Sequence, residues 1–313
     1  MRLYIVQKFY IDDHFYVYSS FFNYKGIVVE PFHKDIDKDF SKKGGLLMIV
    51  ENLLKEIVQE TYPDKKIYTD FKLKIIPKEL KSKHGQYVQN NRCIEIYNLS
   101  RPPCTTFLTA LHEVAHHIEA MDLGDTGHKE TFYARLYLLV CTALEKGYLN
   151  QEDLLTSSHD CADYRKLCHY YGNSFMKEYT RPREKDTVVV YNAYDSREIL
   201  KRRDFSYLSN QSLWIRKFET ESQAIKERNI LKSFQRDLKI KVISFLEVVF
   251  VQPYYVAVSG AYQYRDVLRK EGFVWNGYGY ENVWIKKFPS TEYANVCTFL
   301  KEHRLAGKQV AAL

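Results

Sequence analysis

TALHEVAHHIEAMDLGDTGHKETF, residues 109–132, decides how this chain reads. It holds His112-Glu113-Val114-Ala115-His116, the pattern His-Glu-x-x-His, in a segment whose apolar residues Leu108, Leu111, Val114, Ala115 and Ile118 recur at helical spacing. Positions i and i+4 are neighbours on one helix face, so both imidazoles can point at a single ion. Zinc takes neutral imidazole nitrogens and, in catalytic sites, keeps one coordination position for water. Glu113 sits about 60° around the helix from His116, at ~100° per residue. Its carboxylate is therefore expected beside the ion, placed to take a proton from water acidified by the metal. Gly124 is the expected helix stop. A second helix is expected over about 129–149, where Phe132, Leu136, Leu139, Val140 and Leu144 fall three or four apart.

A zinc enzyme generally needs a third protein ligand, and His128, at the start of the second helix, is the candidate. Its rivals are Glu119, Asp122, Asp125 and Glu130. Glu119 lies three residues past His116 on the same helix, which suits it to supporting a ligand rather than being one. His117 is rotated about 100° off the ligand face and reads as an ordinary, partly buried histidine.

A helical His-Glu-x-x-His, a following Gly-His and an aromatic four residues beyond it resemble the zincin metallopeptidases of the SprT-like type. There the third ligand lies in a Gly-His-Gly-Pro-Glu-Phe-like stretch. This chain keeps Gly127, His128 and Phe132 but has Lys129, Glu130 and Thr131 between them. The resemblance covers roughly residues 45–150. It implies one zinc ion per chain on His112, His116 and His128, with Glu113 as the catalytic base.

The 313 residues suffice for more than one domain, and 45% apolar with 15% aromatic residues is a globular composition. The net charge of +7 is uneven: residues 181–313 hold 23 basic against 15 acidic side chains, a surplus of +8, while residues 1–180 are nearly neutral. Such basicity suits nucleic acid or acidic proteins and equally a solvated surface. Six cysteines form no C-x-x-C pair, and the cluster His159, Cys161, Cys168, His169 matches no standard zinc spacing. No apolar run is long enough for a membrane span, and Lys8, Asp12 and Asp13 interrupt any signal-like stretch, so a cytoplasmic protein with reduced thiols and no membrane partner is expected.

In chain order, residues 1–43 read as a β-rich segment, with a strand hairpin broken at Asp12-Asp13-His14. A metallopeptidase domain is expected over 44–180. It begins with a helix from Gly44-Gly45 to Pro63, continues with a strand over 71–76, and has a hairpin over 85–97 turning at Asn90-Asn91. The strand around Tyr87 is a candidate for pairing with an extended substrate, core packing being the alternative. Residues 150–180 are irregularly helical, and residues 181–185 look like a linker.

Beyond the linker lies an internal repeat. Ala193-Tyr194, Arg197, Leu200 and Phe205-x-Tyr207 recur 68 residues later as Ala261-Tyr262, Arg265, Leu268 and Phe273-x-Trp275. After a two-residue insertion, Trp214-Ile215-Arg216-Lys217-Phe218 recurs as Trp284-Ile285-Lys286-Lys287-Phe288. Two βαββα-like repeats are expected, 181–236 and 253–313, joined by a connector over 237–252. Most of their aromatics read as core, and Arg216, Lys217, Lys286 and Lys287 as a candidate binding face.

The fold expectation is thus α+β: a zincin-like domain followed by two repeats. The function expected is a zinc metallopeptidase that hydrolyses peptide bonds of a specific protein partner recognised through the repeats. One alternative is a DNA-associated SprT-like or antirestriction-like protein whose repeats bind nucleic acid. Another is a non-catalytic zinc-containing binding protein, against which the intact Glu113 weighs.

Overall fold

The computed structural model describes residues 4–11, 14–23, 26–31, 44–157, 162–172, 185–209 and 211–310. It is mixed α+β and divides into two compact units, residues 1–42 and 43–313. In the first unit β1 (Tyr4–Ile11), β2 (His14–Asn23) and β3 (Gly26–Pro31) form an antiparallel meander. The first hairpin pairs Ile11 with His14, across the polar Asp12-Asp13 break.

The second unit opens with α1 (Gly44–Thr61), which stops just short of Pro63. Val50, Leu54, Ile57 and Val58 are fully buried, one stripe at helical period. A small sheet follows, made of β4 (Lys72–Ile75), β5 (Gly85–Val88) and β6 (Cys93–Ile96) in the order β4-β6-β5. β4 runs parallel to the central β6 and β5 antiparallel, so β5 is an edge. The β5–β6 turn differs from the sequence expectation. A short 3₁₀ turn over Gln89–Asn91 carries the chain round, and the left-handed residue is Arg92 (φ 49°), whose guanidinium pairs with Asp70.

Helix α2 (Pro103–Leu123) starts with a proline in its first turn, where the missing N–H leaves no bond unmade. It ends at Gly124, whose φ of 74° is left-handed and whose N–H reaches the carbonyl of Ala120. α2 is buried almost all round from Cys104 to Ala120, because β5, β6 and the helices that follow surround it. α3 (Glu130–Glu145) and α4 (Gln151–Ser157) pack on α2, and α5 (Ala162–Tyr171) packs on α3.

Residues 187–310 hold two units of one connectivity. The first runs β7 (Thr187–Tyr191), α6 (Arg197–Arg202), β8 (Ser206–Leu208), β9 (Leu213–Lys217), α7 (Glu221–Phe234) and β10 (Lys239–Ile243). After α8 (Phe245–Val249), the second runs β11 (Pro253–Val258), α9 (Arg265–Lys270), β12 (Val274–Trp275), β13 (Trp284–Pro289), α10 (Tyr293–Glu302) and β14 (Gly307–Val310). Strand orders β10-β7-β9-β8 and β14-β11-β13-β12 correspond one to one. So does the register: Val190 faces Trp214 as Val258 faces Trp284, and Tyr207 faces Trp214 as Trp275 faces Trp284. Each unit is βαββαβ, one strand longer than the pattern read from the sequence, and β10 lies where a connector is expected.

One hydrophobic core runs from α1, α2 and α3 through α8 into β11 and β13. Phe107 of α2 lies 6.0 Å, ring to ring, from Phe250. Tyr254 of β11, fully buried, donates its hydroxyl to Glu79 (2.7 Å) and accepts from the Leu99 N–H (3.0 Å). Gln309 of β14 reaches the Pro77 carbonyl and the Glu79 N–H. Residues 181–184 of the expected linker, and His159 and Cys161 of the second cysteine–histidine cluster, lie outside the described residues. No helix among the described residues is long and apolar enough to cross a membrane.

Candidate metal centre

His112 and His116 stand one turn apart on α2. The left-handed turn at Gly124 then reverses the chain, so that His128, just ahead of α3, returns to them. The three Nε2 atoms converge, at 3.0 Å (His112–His116), 3.1 Å (His112–His128) and 3.2 Å (His116–His128). Among the described residues these histidines are the one group of three or more metal-type ligands that come together.

The opposite ring nitrogens show what the converging ones carry. His112 Nδ1 is 2.8 Å from the Asp163 carboxylate, which can only accept, so Nδ1 holds the hydrogen. His116 Nδ1 is 2.7 Å from the Thr126 hydroxyl, and that hydroxyl donates its own hydrogen to Glu119 at 3.0 Å. The Thr126 oxygen therefore accepts from His116 Nδ1–H. In the neutral rings of His112 and His116 this leaves bare lone pairs at Nε2, pointing into one space, where a shared proton or metal cation relieves their repulsion. Nitrogens bound at 2.0–2.1 Å around tetrahedral zinc are about 3.3 Å apart, so the observed triangle fits zinc with a shift of a few tenths of an ångström.

The surroundings agree. Phe132, fully buried, lies against all three imidazoles with centroid distances of 4.8, 4.3 and 5.0 Å to His112, His116 and His128. Burial, together with the neighbouring His112 and His128, drives the His116 pKa down to about 3, so that ring is neutral and ready to ligate. Burial likewise lowers His128. At His112 burial also acts downward, but the Asp163 hydrogen bond and charge, with Glu113, outweigh it and raise the pKa.

Glu119, 2% exposed, is not in the converging group and accepts from the Thr126 and Thr131 hydroxyls and the Gly127 N–H. Burial opposes its ionisation, yet these donors and Arg135 hold its pKa below the usual range. It thus ties down the loop that carries Thr126 and His128. Asp122 is taken up by Tyr68 and Arg135. Asp125 and Glu130 are not in the converging group.

Glu113 is 6% exposed, and burial pushes its pKa up to about 7 against the opposing pull of His112, the Tyr87 N–H and Lys83. It lies against the edge strand β5 at close range. A Cβ on Gly85 would come within 2.6 Å of Glu113 Oε1 and 2.9 Å of Thr109 Cγ2, so only glycine leaves the carboxylate where it is. Tyr87 touches the site through its backbone, while its hydroxyl is 3.0 Å from Nδ1 of the fully buried His117. His117 is also packed on Phe71 and kept neutral, at a pKa of about 4, chiefly by burial.

The four basic residues singled out in the repeats are far from free. Arg216 donates to the Arg203 carbonyl at 2.6 Å, and Lys286 pairs with Glu271 at 3.0 Å. Lys217 lies over Tyr148 and Phe245 and 3.9 Å from Asp186. Lys287 lies over Tyr255, and burial lowers its pKa. Sequence reasoning missed Asp163, Thr126 and Gly85. Asp163 is 51 residues from its partner on a separate helix, and no local pattern marks it. Comparisons with protein-family models, with curated proteins and with solved structures found no match, so the site's own geometry carries the functional reading.

Proposed function

We propose that the protein is a zinc-dependent metallopeptidase of zincin type, with SprT-like ligand spacing and two C-terminal repeats that recognise its partner. The observation that carries the reading is the convergence of three histidine Nε2 atoms beside a buried carboxylate whose pKa is close to neutral. His112, His116 and His128 would hold the ion. When bound, zinc supplies a Lewis acid that polarises a carbonyl and makes a nucleophile from water at neutral pH.

This chain's residues do the rest. Glu113, with a pKa near 7, can take a proton at its carboxylate and give it up again within one turnover, to the nitrogen of the leaving amine. The Tyr87 N–H and the closeness of Gly85 hold that carboxylate in one place. Asp163 and Thr126 fix the rings of His112 and His116, and Phe132 closes the floor beneath them. The order of helix, edge-bearing sheet, ligand helix and third-ligand helix also supports the zincin reading. So does an edge strand lying beside the base, where the backbone of an extended peptide can align. A buried, proton-exchanging Glu113 weighs against a purely structural ion, which needs no base.

The test compares wild type with Glu113→Gln. Both should contain one zinc per chain by elemental analysis, and only the wild type should generate new peptide termini in a proteome digest read by mass spectrometry. Removing a general base costs at least about 10²–10⁴-fold. Equal cleavage by the two proteins, or no zinc in either, defeats the proposal.

A further inference from the structure

The two βαββαβ units agree at positions that folding does not explain. Ala193, Leu200 and Phe205 are buried, as are their counterparts Ala261, Leu268 and Phe273, and packing accounts for them. Tyr194 and Tyr262 are 74% and 67% exposed, and Tyr207 and Trp275 are 47% and 42% exposed. Tyr194 and Tyr262 are left largely in water, and Tyr207 and Trp275 keep nearly half of their surface there, yet both units place an aromatic at each of these positions. Retention is local. The short helices Arg197–Arg202 (REILKR) and Arg265–Lys270 (RDVLRK) match in chemical type at every position. The longer α7 and α10 have diverged almost completely.

The shared side chains form the same constellation twice. Arg197 stacks over Tyr194 at 4.5 Å, and Arg265 over Tyr262 at 5.2 Å. One acid in each, Glu198 or Asp266, sits between two cations, Arg197 and Lys201 or Arg265 and Arg269. The second exposed ring packs on the sheet tryptophan, Tyr207 to Trp214 at 5.1 Å and Trp275 to Trp284 at 5.4 Å. In the second unit these groups line a groove of about 270 Å³. Trp284 in its wall is 2% exposed, and its indole N–H has no acceptor among the described residues.

We propose that each unit is a platform for unpaired nucleotides of a nucleic-acid strand, with bases stacking on Tyr194 and Tyr207, or Tyr262 and Trp275, and phosphates meeting the adjacent cations. The chemistry selects this ligand. Flat exposed rings offer a π-face that every base can use, and a surplus of cations on the same short helix suits a strand with one charge per nucleotide. A carbohydrate would stack but has no use for the cations, and an acidic peptide would use the cations but has no use for the rings. Arg216, Lys217, Lys286 and Lys287, built into the fold, are not the contact. The proposal stands apart from the peptidase reading, since binding is measured without turnover.

The experiment uses full-length, zinc-loaded protein and a fluorescein-labelled oligothymidylate followed by anisotropy. Tyr262→Ala with Trp275→Ala should weaken binding about 5- to 150-fold for each stacked base lost. Tyr194→Ala with Tyr207→Ala should act in the same way. Tyr262→Phe with Trp275→Phe should bind like wild type, because the π-faces remain. Arg265→Gln with Arg269→Gln should flatten the salt dependence by about 0.7 in log–log slope for each phosphate contact removed. All these side chains lie at the surface, and an unchanged melting temperature verifies that the fold is kept. Failure of wild type to bind the strand, or alanine variants that bind like wild type, overturns the proposal. So does binding of a polyglutamate or proline-rich peptide in place of the strand, which would make the platform a peptide surface.

Discussion

Asp163 offers the sharpest test of the proposed metal centre, because it touches none of the converging nitrogens and lies on a helix remote in sequence. Its carboxylate accepts from His112 Nδ1–H at 2.8 Å and so fixes both the tautomer and the aim of Nε2. Partners of this kind typically contribute 10–100-fold to metal affinity, or about 1.4–2.7 kcal/mol. The structure grades the substitutions. Asp163→Asn keeps an acceptor oxygen in the same place and removes only the charge, so its loss should fall toward the lower end. Asp163→Ala frees the ring to rotate and removes the charge, so its loss should approach the upper end. Thr126→Val, which unties His116 from the Glu119 network, should resemble the alanine variant. Zinc affinity is measured by competition with a chromophoric chelator at fixed pH, where no substrate is needed. If Asp163→Ala and Thr126→Val both hold zinc as tightly as wild type, the three rings are not aimed at a metal.

Gly85→Ala should keep zinc and fold but lower kcat/KM about 10²-fold, since the new methyl displaces the Glu113 carboxylate by roughly an ångström; full activity would show that Glu113 is not held by β5. His128→Ala should lose as much zinc as His116→Ala, and Glu119→Ala less, by the same chelator competition; the reverse order would make the carboxylate the ligand. Glu113 also sets a pH dependence in zinc-free protein. Its folded pKa is raised from 4.5 to about 7, so its contribution to stability is complete below about pH 4.5 and is lost as pH rises through 7. Thermal melts should therefore find Glu113→Gln gaining on wild type between pH 5 and 8, and parallel curves would contradict the buried environment assigned to Glu113.

Much of the site was legible because it is local. His112, Glu113 and His116 share one helix, and Gly124, His128 and Phe132 follow within a single turn of chain, so periodicity and turn chemistry bring them together. What the sequence hid is long-range. Asp163 reaches His112 only because α5 packs on α3, and Gly85 meets Glu113 only because a sheet edge lies along α2. The closing strands β10 and β14 were illegible for another reason: KIKVI and GKQV are too short for period two to stand out against a loop. Basic residues mislead in the same way. Lys286 and Arg216 look like a binding face in one dimension, but their partners Glu271 and the Arg203 carbonyl appear only in the fold. Comparing the two βαββαβ units, by contrast, separates the buried rings from the exposed ones.

The core that α2 shares with α8 has a consequence for the order in which the protein is made. Phe107 rests on Phe250, which is synthesised 143 residues later. At 5–20 residues per second that is a delay of about 7–30 s. Throughout it the helix bearing His112 and His116 has been made but lacks one of its walls. A product interrupted before residue 250 carries the whole His-Glu-x-x-His sequence but lacks the Phe250 side of the packing around α2.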